Sequence, residues 1–256
     1  MARVYDDVRL AGAYRSGNAM PEESLAAWVR LIGSFAGGPS PRIIEVGSGT
    51  GMFCTAMARL LEPAVVLGVD ASLPMLEEAR RFGAPPAVRY VAGVADAVPV
   101  RDGVFDLALL SRVIHHLPDR TGAARELARV LRPGGVVVVR TTFRERLDAL
   151  VYDYWPGLRE LDEGRFPSEA EVVGDFTGAG FGVRSVLSFA QPVTGSLRAY
   201  HARMVARPQS KFTQLSDGEF LEGLERLGQD AAAEPVDRPA AVRERYDVVV
   251  LEALSG

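Results

Sequence analysis

Nine residues carry the most chemical information in this chain: Ile43-Ile44-Glu45-Val46-Gly47-Ser48-Gly49-Thr50-Gly51. An apolar strand with an acid near its end runs into three alternate glycines. Without a Cβ the chain can turn sharply and let a ligand lie against bare main chain, and the helix that follows offers unpaired N–H groups at its start. This is chemistry for holding a nucleoside. A dinucleotide pyrophosphate calls for G-x-G-x-x-G, whereas the spacing here is G-x-G-x-G and Glu45 stands just before Val46-Gly47. A carboxylate repels a pyrophosphate but suits a nucleoside that carries a sulfonium and an ammonium.

The elements that must position these residues follow a βα rhythm. From Pro41 the pattern predicts strands at 42–46, 65–70, 88–92, 104–111 and 135–141, with helices at 51–61, 72–82 and 119–131. Continuously apolar strands such as Val136 to Val139 and Leu107 to Leu110 are of the kind buried on both faces of a parallel sheet, so a doubly wound α/β fold is expected. Before this core, Glu22 to Phe35 has helical apolar spacing (Leu25, Trp28, Val29, Ile32) and reads as a leading helix outside the sheet. After Thr141 the rhythm breaks into helices, with strands predicted only at 181–189 and 246–251.

Composition narrows the function classes. At 256 residues, 48% hydrophobic and 24% charged, the chain has the make-up of one globular α/β domain with additions. A net charge of −4 gives no global attraction to nucleic acid. Cys54 is the single cysteine, so neither an intrachain disulfide nor a zinc-holding cysteine cluster is available, and no metal site is expected. The opening residues lack an apolar leader and the apolar runs are too short to span a bilayer, which predicts a cytoplasmic protein with no membrane partner. Lys211 is the only lysine among 29 basic residues, so arginine counts are weak signals of anion binding.

Five separated landmarks occur in order: Glu45 to Gly51, Gly68-Val-Asp70, Gly93-Val-Ala-Asp96-Ala-Val-Pro99, Phe105 to Leu117 with Ser111 and His115-His116, and Arg129-Val-Leu-Arg-Pro-Gly-Gly135. Over roughly residues 41–141 the sequence closely resembles the class I S-adenosylmethionine (SAM)-dependent methyltransferases, in particular the group that includes ubiquinone and menaquinone biosynthesis methyltransferases. The resemblance implies a Rossmann-like seven-stranded sheet of order 3-2-1-4-5-7-6 with an antiparallel seventh strand. It also implies the cofactor SAM and the product S-adenosylhomocysteine; the expected acceptor is a small molecule, with secondary metabolism as one setting. Residues 1–40 are then expected to form an N-terminal helical lid, and 41–256 the catalytic domain with helical cap insertions at about 142–167 and 191–245.

Residue roles follow from the same resemblance. Glu45, Gly47, Ser48, Gly49 and Gly51 form the cofactor loop; Asp70, with Ala71 beside it, accepts from the ribose hydroxyls; Asp96 and the backbone of Ala97 meet the adenine. Ser111 ends the fourth strand, where it can contact the methionine moiety, and Tyr14 resembles an aromatic that folds over the cofactor. Met75 suits either an adenine face or the core. His115 and His116 are candidate general bases, or loop residues that the family carries without such a need. Tyr152, Trp155, Arg198 and His201 are candidates for acceptor binding, the alternatives being packing of an added helix and a solvated helix face. Two other functions stay open: a SAM-binding regulator or cyclase without methyl transfer, and an NAD-dependent oxidoreductase, against which Glu45 and the glycine spacing argue. Nucleic-acid methylation is disfavoured because Ser-Arg-Val-Ile-His-His stands after the fourth strand in place of an Asn-Pro-Pro-Tyr type motif.

Overall fold

Strand β4 (Phe105–Ser111) is buried along nearly its whole length, and the architecture is arranged to cover both of its faces. A computed structural model describes residues 20–81, 83–207 and 210–254. Its other strands are β1 (Arg42–Val46), β2 (Val65–Asp70), β3 (Val88–Ala92), β5 (Leu131–Thr141), β6 (Phe181–Thr194) and β7 (Val242–Ala253). They form one sheet of order 3-2-1-4-5-7-6. Strands β1 to β5 run parallel, and β7 is antiparallel to both β5 and β6. The expected topology is therefore present.

Alternation along each strand sends side chains to opposite faces. Ile43, Leu107, Leu109, Val136 and Val138 pack under α1 (Glu22–Gly33) and α2 (Met52–Leu60) with Trp28, Val29, Ile32, Phe53 and Met57. Helix α3 (Leu73–Arg81) follows β2. Ile44, Ala108, Leu110, Val137 and Val139 pack on the other side with Ala124 and Leu127 of α4 (Arg120–Val130) and with Val172 and Phe176. The leading helix α1 lies outside the sheet, as expected, and packs on it as a layer of the core, with the Trp28 indole fully buried.

Beyond β5 come α5 (Val151–Tyr154), α6 (Gly157–Arg165) and α7 (Glu169–Thr177), and between β6 and β7 lie α8 (Leu197–Met204) and α9 (Asp217–Ala233). Ser168 with Glu171 and Ser216 with Glu219 make reciprocal capping boxes that start α7 and α9. Strands β6 and β7 are longer than the sequence pattern predicts. Thr141 of β5 pairs with Asp247, but β6 and β7 stay paired as far as Thr194 and Val242, so a two-stranded ribbon projects past the carboxyl edge of the parallel strands. Its polar residues Arg243, Glu244 and Arg245 hide the strand from a hydrophobicity reading.

That ribbon carries a separate apolar cluster in which Leu147, Trp155 and Leu158 from the segment after β5 meet Tyr200, Phe212 and Phe220 from the segment before β7. Among the described residues no helix is long and apolar enough to cross a membrane. Trp155 is central to the added cluster: it stacks on Phe220 at 5.7 Å, meets the Phe212 edge at 5.0 Å and donates its indole N–H to the Phe220 carbonyl at 3.0 Å. Trp155→Ala is expected to cost about 3–5 kcal/mol, as for other buried tryptophans. Hydrogen exchange should then show lost protection at 147–166 and 210–233 while β1 to β5 keep theirs; uniform loss across the sheet would contradict a separate cluster.

Candidate functional site

The glycine loop is held by hydrogen bonds from two directions. Gly47 and Ser48 N–H groups both donate to the Val69 carbonyl, at 2.8 and 3.0 Å. The Asp70 carboxylate accepts from Gly49 N–H at 2.7 Å and from Ser72 N–H at 2.8 Å, tying the loop after β1 to the loop after β2. Gly47, Gly49 and Gly51 have φ of 75°, 52° and 75°, in the left-handed region that favours glycine. Two of the three are also required by packing within the protein: a Cβ on Gly51 would strike the Tyr90 hydroxyl, and one on Gly47 would strike Val113. Gly68 matters for the same reason, since a Cβ there would lie 2.6 Å from the Tyr90 ring. The sequence pattern suggested bare backbone for a ligand, and the structure adds neighbouring side chains as a second cause.

Several positions expected to meet a nucleoside gather at the carboxyl edge of β1 to β4. Asp96 and Ala97 lie in an exposed turn after β3, closed by Ala97 N–H to the Val94 carbonyl at 3.2 Å. Ala71 is exposed beside Asp70, Met75 is buried on α3, and Ser111 ends β4. The Ser48 hydroxyl oxygen is buried without a hydrogen-bond partner, which is an available polar contact inside the loop. Tyr14 lies outside the described residues.

Glu45 is 2% exposed, and its Oε2 receives the Cys54 thiol at 2.9 Å. Burial pushes its pKa up to about 8, with the Asp70 charge adding to the rise and the Cys54 bonds opposing it. At neutral pH this acid is mostly protonated unless a cation arrives. Burial and the neighbouring Glu45 in turn raise the Cys54 thiol, so it is an inert buried group.

A shallow cleft lies beyond the ends of β4, β5 and β7. Arg112, Tyr152, Phe166, Lys211, Glu244 and Tyr246 are among its walls. Most charges here are matched. Lys211 Nζ lies 3.2 Å from Asp162 and 4.5 Å from the Tyr152 ring centre, Tyr152 donates to Asp162 at 2.7 Å, and Asp148 pairs with Arg245 at 2.6 Å. Glu244 is half-buried, accepts the Tyr246 hydroxyl at 2.6 Å, and has no ion pair among the described residues.

Of the histidines expected as bases, His115 is half-buried against the wall residue Phe166 and His116 is exposed. The His115 ring packs 4.5 Å from Phe166 and 4.1 Å from His116, and desolvation pushes its pKa down to about 2, with repulsion from His116 and Arg165 contributing. His116 lies 3.0 Å from an Arg165 nitrogen and is also lowered, by desolvation and then by Arg165 and Arg112. Both are neutral at pH 7 but weak as proton acceptors.

Of the four residues expected at the acceptor site, Tyr152 reaches the cleft and three do not. Trp155 is buried in the added apolar cluster. Arg198 is drawn to Glu234 at 3.3 Å, a carboxylate that also accepts the Leu197 and Ala240 N–H groups at 2.8 and 2.7 Å, so the arginine latches a loop. The His201 ring faces α9, with Nε2 3.1 Å from where a Cβ of Gly228 would stand. Helical spacing shows which residues share a helix, not which neighbour the helix turns them toward. Phe166, Glu244 and Tyr246 were missed; the alternation Val242, Glu244, Tyr246 was their only signal.

Comparison with known proteins agrees with this arrangement. Residues 44–139 match a family described as a methyltransferase domain. The demethylmenaquinone methyltransferase of Roseiflexus castenholzii is 31% identical over 149 residues, which is 57% of this chain and 63% of that protein. Other curated relatives are spanned over 33–49% of their lengths. Among solved structures, the [4+2]-cyclase SpnF aligns over 94% of this chain and 84% of its own at a TM-score of 0.62 and 19% identity. A geranyl diphosphate methyltransferase in complex with SAM aligns over 90% and 85% at a TM-score of 0.56 and 16% identity. Such distant likenesses speak for the fold. With the ordered motifs and the sheet order, the match over residues 44–139 likens this part of the chain to the class I SAM-dependent methyltransferases.

Proposed function

We propose that this chain methylates a small molecule held in the cleft at the ends of β4, β5 and β7, with SAM as donor and S-adenosylhomocysteine as product. The observation that carries the reading is the Asp70 clamp on the glycine loop, set beside the buried Glu45. Asp70 ends β2 beside the glycine loop, where its carboxylate would accept from the ribose hydroxyls. Gly47, Ser48, Gly49 and Gly51 would line the cofactor, with Ala71 and Met75 beside the ribose and adenine, Asp96 and Ala97 at the adenine edge, and Ser111 near the methionine. Glu45 would receive the ammonium. Bound SAM supplies an electrophilic methyl group whose leaving group is a neutral thioether.

The protein's remaining tasks are alignment and exclusion of water. For an acceptor that must lose a proton, Glu244 is the best-placed base: it lies in the cleft wall, is oriented by the Tyr246 hydroxyl and forms no direct ion pair among the described residues. Aromatic walls and locally matched charges suit a compact organic acceptor rather than a polyanion.

Titration calorimetry with S-adenosylhomocysteine tests the cofactor site. Asp70→Ala should weaken binding by about 1–3 kcal/mol through the unpaired groups it leaves, and Gly49→Arg should abolish it; unchanged affinity in both would refute the site. At pH 6.5 Glu45 is neutral in the free protein, its pKa standing near 8. An arriving ammonium should ionise it and release a proton. Binding heat should then vary with the ionisation enthalpy of the buffer, and the part due to this proton should vanish in Glu45→Gln. An acceptor can be sought by following S-adenosylhomocysteine formation across phenols, amines and carboxylic acids. With a protic acceptor so found, Glu244→Gln should lower kcat about 100-fold or more while His115→Ala and His116→Ala retain turnover. The reverse pattern would return the base to the histidines, and SAM binding with no turnover in any screen would favour a non-methylating role.

A further inference from the structure

Arg140, next to last in β5, is 3% exposed. Its guanidinium carbon lies 3.9 Å from the Tyr246 ring centre, 4.6 Å from that of Trp28 and 5.7 Å from that of Phe53. Nη1 donates to Ser111 Oγ at 3.3 Å, and Nη2 donates to Gln191 Oε1 at 3.0 Å, which also accepts the Trp28 indole N–H at 2.9 Å. Nε is buried without a hydrogen-bond partner. Among the described residues no carboxylate forms an ion pair with it. Burial pushes the group down to about 10, which still leaves a cation at neutral pH. The Glu244 charge and the Tyr246 hydroxyl act on it from the cleft side, but a guanidinium taken out of water with no carboxylate in direct contact is costly, and neutral acceptors with aromatic faces offset only part of that cost.

The surroundings indicate where an anion would come from. The Tyr246 ring, which forms part of the cleft wall, packs on the guanidinium. Ser111 and the glycine loop lie toward the centre of the sheet. Glu45 is in register with Leu109, two residues before Ser111 and on the same face, and Ser111 is in register with Arg140. A buried acid and a buried arginine therefore stand on one face of the carboxyl edge, on either side of β4. That is the complement of an α-amino acid zwitterion. We propose that Arg140 binds the α-carboxylate of the methionine tail of SAM, with Glu45 receiving the α-ammonium, so that the pair reads the amino-acid end of the cofactor. This rests on the SAM reading given above.

The test compares S-adenosylhomocysteine with its decarboxylated analogue 5′-S-(3-aminopropyl)-5′-thioadenosine, which keeps the adenosine and the amine. Wild-type protein should prefer S-adenosylhomocysteine by at least about tenfold, as for a charge-assisted hydrogen bond. In Arg140→Met that preference should collapse, because S-adenosylhomocysteine weakens while the analogue stays within about threefold of wild type. Arg140→Lys, which keeps charge but not the planar fork, should fall between them. Analogue binding doubles as a check of a folded adenosine site, and Arg140→Lys decides the matter if Arg140→Met does not fold. Preference that survives in the variants, a wild type with no preference, or equal weakening of both ligands would overturn the assignment. Failure of wild type to bind either ligand would instead overturn the SAM reading on which it rests.

Discussion

The Asp70 carboxylate holds two loops at once, and the geometry of the carboxyl edge depends on it. Gly49 N–H comes from the loop after β1 and Ser72 N–H from the loop after β2, so one side chain sets the spacing between them. Around this clamp the glycines serve the protein as much as any ligand. Gly51 and Gly68 make room for Tyr90, and Gly47 makes room for Val113. The cofactor loop is thus pre-organised by packing, which lowers the ordering cost of binding.

Two ionisable groups are buried near that loop, and neither is conventionally paired. Glu45 is held by a thiol and Arg140 by aromatic rings, a serine and a glutamine. Buried charges usually sit in ion pairs. Their position on one face of the sheet, across β4, is consistent with a ligand that brings an ammonium to ionise the acid and a carboxylate to pair the arginine. Elsewhere the chain matches its buried charges internally, as Lys211 with Asp162 and Arg146 with Asp247 show.

The acceptor side is built differently. Helices from two separate segments share one apolar cluster on the projecting β6–β7 ribbon, and the cleft lies where that cluster meets the sheet. On the proposed function, recognition of the acceptor would depend on residues that are distant in the chain, such as Phe166 and Glu244, brought together by the return of β7 between β5 and β6. The acceptor site can vary through these segments while the cofactor loop keeps its form.

The sequence alone determined the strands β1 to β4 to within a residue and the cofactor motifs, and the sheet order followed only from the family these motifs resemble. These depend on local rules: continuous apolar runs, glycine spacing and an acid at a strand end act over a few residues. Tertiary structure decided what those rules do not reach. It gave Glu45 a thiol partner, placed Arg140 in an aromatic cage, turned Trp155, Arg198 and His201 away from the cleft and brought Glu244 and Tyr246 into it. It also lengthened β6 and β7 through backbone pairing that the polar residues 243–245 gave no reason to expect. Burial and charge pairing arise from contacts between residues far apart in the chain, so only the folded arrangement fixes which polar groups meet a partner and which await a ligand.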